Sequence, residues 1–165
     1  MLTQQALKPA GRFKVEIISK DGVVKHTEEF DNGVTTVGRN LMLDVMFHGG
    51  SASGTWYIGF IDNSGYTAVA AADTLASKAW NEFTTYDEST RQAWTEGAAS
   101  AGSITSSSVS TFTIAGSGTL RGIFVADNST KSGTTGTLWS TALFASATAV
   151  ADDDQIKITY TVNLT

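Results

Sequence analysis

Apolar and polar residues alternate strictly in two stretches of this chain and run together in two others. Phe13, Val15 and Ile17 alternate with Arg12, Lys14 and Glu16, and Ile156, Ile158, Tyr160, Val162 and Leu164 alternate with Gln155, Lys157, Thr159, Thr161 and Asn163. A period of two predicts strands that lay one face on a core. By contrast, Thr55-Trp56-Tyr57-Ile58-Gly59-Phe60-Ile61-Asp62 is nearly unbroken in its apolar character between Gly54 and the turn Asp62-Asn63-Ser64-Gly65. Such a run predicts a strand buried on both faces, in the middle of the protein. Leu120-Arg121-Gly122-Ile123-Phe124-Val125-Ala126 reads as a second one.

Residues 1–11 contain the only proline and little periodicity, so they are expected to form an N-terminal arm. Residues 12–30 form the expected opening hairpin of a single domain, 12–165. A two-residue turn at Asp21-Gly22 would set Phe13 opposite Phe30, Lys14 opposite Glu29 and Ile17 opposite His26. His26 then sits on the sheet, where it has no partner nearby in sequence for a catalytic role.

One helix is predicted over about 36–47. Thr35 or Thr36 caps it, Leu41, Met42, Val45 and Met46 form the stripe that packs on the sheet, and Gly49-Gly50 ends it beside His48. The following Gly49–Gly54 loop lacks the Gly-Lys-Ser/Thr of a phosphate loop. Asp73 is expected to cap a second, short helix through Ala79. Gly116-Ser117-Gly118 reads as a hairpin turn between a strand at Phe112-Ile114 and the strand at 120–126, and a further strand is expected over 138–145.

Trp80, Phe83, Tyr86, Arg91 and Trp94 crowd into a polar stretch and are the candidate partner or oligomer contacts, on a long loop anchored by its rings. Read as a carbohydrate platform, the same stretch would expose Trp80, Tyr86 and Trp94 as stacking faces. A glycan-cleaving enzyme would need two of Glu82, Asp87, Glu88 and Glu96 to converge.

A net charge of −5 with no basic run argues against nucleic acid and anionic membranes as partners. No apolar run approaches the ~20 residues of a membrane span, and no secretory signal core is visible at the start. The absence of cysteine removes thiol nucleophiles and thiolate metal sites. Asp152-Asp153-Asp154 lacks the ligand spacing of a calcium loop and reads as a solvated turn. No catalytic, cofactor or metal constellation is predicted.

The segments Thr55–Asp62, Ala70–Thr74, Trp80–Phe83, Tyr86, Thr90–Trp94, Gly122–Phe124 and Lys131–Gly136 together resemble a family of small virion structural proteins of tailed bacteriophages. The likeness runs from about residue 30 onward and is closest in kind to podovirus jelly-roll cement, or decoration, proteins. It implies a mostly-β, antiparallel jelly-roll-like sandwich without enzymatic activity. Such a protein would be assembled in the host cytoplasm and would bind the major capsid protein on the outer capsid surface, bridging adjacent subunits. A closed homo-oligomer is expected with it, a trimer before a dimer. Similar sandwiches also serve as tail-fibre carbohydrate-binding modules.

Overall fold

A computed structural model describes residues 8–164. Ten antiparallel strands and one helix follow in order: β1 Pro9–Ile18, β2 Val24–Val34, α1 Thr36–Phe47, β3 Trp56–Asp62, β4 Glu82–Phe83, β5 Gln92–Trp94, β6 Ser103–Thr105, β7 Ser110–Thr113, β8 Gly118–Ala126, β9 Leu138–Val150 and β10 Gln155–Leu164. Among the described residues the protein is a mostly-β sandwich with a single helix. Its neighbour order, β4-β3-β8-β9-β2-β1-β10-β6, is joined by β5 on β3 and β7 on β10. Jelly-roll wiring, the finer part of the expectation, does not follow from this order.

The edges are tied to each other. Bridges between Tyr86 and Ile114 and between Glu96 and Ser106, with Asp87 N–H donating to Thr113 O at 2.8 Å and Gly97 N–H to Thr105 O at 2.8 Å, wrap the sheet back on itself. The enclosed core takes Phe13, Val15 and Ile17 from β1, Ile58 and Phe60 from β3, and Ile156, Ile158 and Tyr160 from β10. Each such side chain contributes roughly 1.5–3 kcal/mol by leaving water. On the outer face of β3 and β8 a second cluster forms from Ile61, Phe124, Ala126, Leu75 and Trp80. The strand at 56–62 is therefore covered on both sides, as its unbroken apolar run predicts.

The opening hairpin has the expected register, Phe13↔Phe30, Lys14↔Glu29 and Ile17↔His26, but reaches it by another route. Ser19 N–H donates to Val23 O at 2.8 Å around a longer turn in which Gly22 has φ +81°, and a shift after Ile17 restores the pairing. A bulge absorbs the extra turn residue. Residues 9–11, assigned by pattern to an arm, are strand, with Pro9 opposite Leu164; residues 1–7 of that arm lie outside the described residues.

Three other expectations are corrected by hydrogen bonding. No helix forms at 73–79, because Asp73 Oδ2 instead accepts from Ala70 N–H and Trp80 Nε1–H, both at 3.0 Å, holding a turn against the indole. The turn at Gly116 is not a hairpin, since β7 pairs with β10 and β8 with β3 and β9. Asp154 is buried rather than solvated: its Oδ2 accepts from Lys25 Nζ at 2.5 Å and from Ala151 N–H at 2.8 Å.

Candidate functional site

The five residues proposed from sequence as partner contacts all lie inside the single chain. Trp80, Phe83, Tyr86, Arg91 and Trp94 are between 1% and 6% exposed. Their polar neighbours misled the reading by being buried with them. Arg91 Nε donates to Glu82 Oε1 at 2.9 Å and Arg91 Nη2 to Glu82 Oε2 at 2.7 Å, while Nη1 donates to Asn128 O at 2.7 Å. Lys131 Nζ covers the Tyr86 ring at 3.8 Å and donates to Tyr86 O at 2.6 Å. Burial of the Tyr86 phenol raises its pKa well above the ordinary value.

Of the acidic candidates, Glu82 is held by Arg91 and Ser132 N–H, and Glu88 accepts from Thr113 N–H at 3.0 Å. Asp87 and Glu96 are exposed. Among the described residues, no group of three or more His, Cys, Asp or Glu side chains is placed to hold a metal, and no helix is long and apolar enough to cross a membrane.

Accessible apolar surface lies elsewhere, around Trp56 and Trp139, with the buried Trp94 beneath them. Trp56 on β3 stands directly opposite Trp94 on β5, and Trp139 on β9 approaches Trp56 with ring centroids 5.8 Å apart. With Ile104 of β6 and Val162 of β10 they line an open cleft of about 240 Å³, bordered by Glu96. Two of the indole N–H groups are turned inward: Trp94 Nε1 donates to Ser106 Oγ at 3.0 Å, and Trp139 Nε1 to Tyr160 OH at 2.9 Å. The cleft thus offers apolar ring surface and little hydrogen-bonding capacity. A sugar needs its hydroxyls satisfied, so this lining suits apolar side chains better.

The cleft continues onto α1. Trp56 and Trp139 also form one wall of a second hollow of about 230 Å³, whose other wall is Leu41, Met42, Val45 and Met46 of the helix. The helix is pinned at its start. Thr35 Oγ1 accepts from Gly38 N–H at 3.0 Å, Thr35 N–H donates to Trp139 O at 2.9 Å, and a Cβ on Gly38 would stand 2.7 Å from Trp139 O. Beyond that first turn the expected stripe is only half covered. Met46 is 62% exposed, Phe47 78% and Leu43 49%, so the C-terminal half of the helix projects an apolar surface into solvent.

Tyr160 supports the cleft from below. Its hydroxyl accepts from Asn32 Nδ2 at 2.6 Å as well as from Trp139, and burial pushes its pKa up to about 12. Below the ordinary value of about 10 both folded and unfolded chains keep the proton, and stability is indifferent to this group. Between about 10 and 12 only the unfolded chain releases it, so stability falls across that window, by on the order of 2–3 kcal/mol. Circular dichroism and tyrosinate absorbance followed together through the alkaline range are expected to show this phenol ionising with loss of the fold. In Tyr160→Phe the fall in stability across that window should become shallower by one proton, with the buried Tyr86 phenol still contributing; an unchanged profile would show that Tyr160 does not take part.

Sequence reasoning missed Trp56 and Trp139 because each lies in a strand read as core, and partial exposure depends on where neighbouring strands stop. The signal that was available is in α1, whose Leu41, Met42, Leu43, Val45, Met46 and Phe47 go most of the way round the helix and exceed what one sheet can cover. No protein-family model matches this chain, and no curated protein matches it.

Proposed function

We propose that this chain is a non-enzymatic capsid decoration protein of a tailed phage, which uses the tryptophan cleft and the projecting end of α1 to grip major capsid subunits on the outer shell. One observation carries the reading: the partly exposed Trp56 and Trp139 face Leu41, Met42, Val45 and Met46 of α1 across an open hollow, beside the exposed Met46 and Phe47 at the end of the helix. Apolar surface of this kind, centred on aromatic anchors, marks a protein–protein contact. The resemblance to cement proteins supplies the partner, and bridging across neighbouring subunits is how such a grip stabilises a shell. The opposing reading, a tail-fibre carbohydrate module, is disfavoured by the burial of Trp80, Tyr86 and Trp94 and by the inward-turned indole N–H groups.

The test is co-sedimentation with expanded capsids that lack the protein. Saturable binding of the wild type is expected, and Phe47→Glu together with Met46→Glu should weaken it ~100-fold while leaving the circular dichroism unchanged, since two exposed apolar anchors are each worth ~1–2 kcal/mol. Wild-type protein that stays in the supernatant would defeat the capsid assignment. Undiminished binding by the double variant would move the contact to another face.

A further inference from the structure

The geometry points to residues 1–7 of this same chain as the segment that covers the tryptophan cleft when the protein stands alone. That occupancy is independent of the capsid assignment, and only its consequence for capsid binding rests on that reading. β1 starts beside the cleft. Its Gly11 lies opposite Val162 of β10, and Val162 lies opposite Ile104 of β6, so two of the lining residues stand one and two strands away from β1. With neighbouring strands ~4.8 Å apart, the distance across to Ile104 is about 10 Å. A Cβ on Gly11 would stand 2.6 Å from Tyr160 OH, which accepts from Trp139 Nε1 at 2.9 Å. The backbone therefore passes against the floor of the cleft just where residues 1–7 join the fold.

The route from the strand to the cleft is apolar and short. Leu164, opposite Pro9, is 45% exposed and shares its face of β10 with Val162. Pro9 biases the residue before it toward extended backbone, and seven extended residues span up to ~23–25 Å, more than twice what the crossing to Ile104 requires.

The segment also matches the lining chemically. Met1-Leu2-Thr3-Gln4-Gln5-Ala6-Leu7 has four apolar side chains and no charged one. The cleft offers rings and aliphatic side chains, and the indole N–H groups of Trp94 and Trp139 are already committed to Ser106 and Tyr160. Leu2 and Leu7 can enter it without stranding a polar group. Covalent attachment holds the segment at an effective concentration in the mM range, so a contact too weak for a free peptide suffices. A capsid subunit gripping Trp56 and Trp139 must displace it, and binds more weakly by the fraction of time the cleft stands open.

The test compares three proteins without any partner: the full chain, a variant lacking residues 1–7, and the full-length Leu2→Asp, Leu7→Asp double variant. Circular dichroism should be the same in all three, since β1 begins at Pro9. Tryptophan emission should shift to longer wavelength in both variants, with readier quenching by acrylamide, against the constant background of the buried Trp80. Leu2→Met with Leu7→Met should keep the protection. Equal emission and quenching in the full and shortened chains would overturn the proposal. Protection that vanishes on dilution would overturn it too, by placing the segment on another copy. Added to capsids, the shortened chain should bind about tenfold tighter if the segment holds the cleft ~90% of the time. Absence of capsid binding by every variant would defeat the capsid reading and leave the solution result standing.

Discussion

Arg91→Met is expected to lower the stability of the fold by about 3–5 kcal/mol, the penalty for leaving a buried carboxylate without its counter-charge. Glu82 and Arg91 have side chains 3% and 1% exposed, so water cannot replace the lost partner. The guanidinium also donates to Asn128 O and lies over Phe124 at 4.9 Å, tying the loop after β8 to the segment between β4 and β5. Urea titration should show a lower midpoint, and the thermal midpoint should drop by roughly 10 °C. In the double variant Arg91→Met, Glu82→Met much of the loss should return, because a pair of apolar side chains removes the stranded charge. A single variant within ~1 kcal/mol of wild type would show that solvent reaches the site. High salt should change little, because a desolvated pair is poorly screened.

Gly122→Ala should be of comparable severity, for a steric reason. A Cβ at this position would stand 2.1 Å from Ala142 O, a backbone atom in the paired strand that has no rotamer by which to escape. The ladder between β8 and β9 is already irregular here, shifting between Leu120 and Gly122. Overpacking against side chains costs about 1–3 kcal/mol, and against backbone the upper end or beyond is expected, with β8 and β9 forced apart. Chemical denaturation of Gly122→Ala beside Gly116→Ala, where the nearest atom is a Thr85 side-chain methyl carbon at 3.2 Å, separates the two situations. Equal stability of the two variants would show that β8 shifts without penalty.

Both positions illustrate what was legible beforehand. The hairpin register, α1 and the doubly covered β3 were readable because each depends on local pattern: a period of two, a capping threonine, an unbroken apolar run. Pairings between remote strands were not, because alternation says which face is buried and nothing about the neighbour. Gly122 in an apolar strand does signal close approach, without saying of what. The segment from Trp80 to Trp94 looks exposed in the sequence because charge ordinarily marks solvent. Glu82 and Arg91 neutralise each other so completely that the polar stretch sinks into the core and carries its rings with it. The cleft was hidden for the converse reason, since Trp56 and Trp139 sit in strands whose composition looks entirely internal.

The pairing of β1 with β10 has a kinetic consequence. The hairpin of β1 and β2 pairs residues near in sequence, whereas Phe13, Val15 and Ile17 find their opposite numbers on β10, Tyr160, Ile158 and Ile156, more than 130 residues away. During synthesis at ~5–20 residues per second, the hairpin's apolar face stays unsatisfied for on the order of ten seconds before β10 emerges. Folding is therefore dominated by contacts of large sequence separation and should be slow. In that interval Phe13, Val15 and Ile17 are apolar positions whose pairing strand does not yet exist.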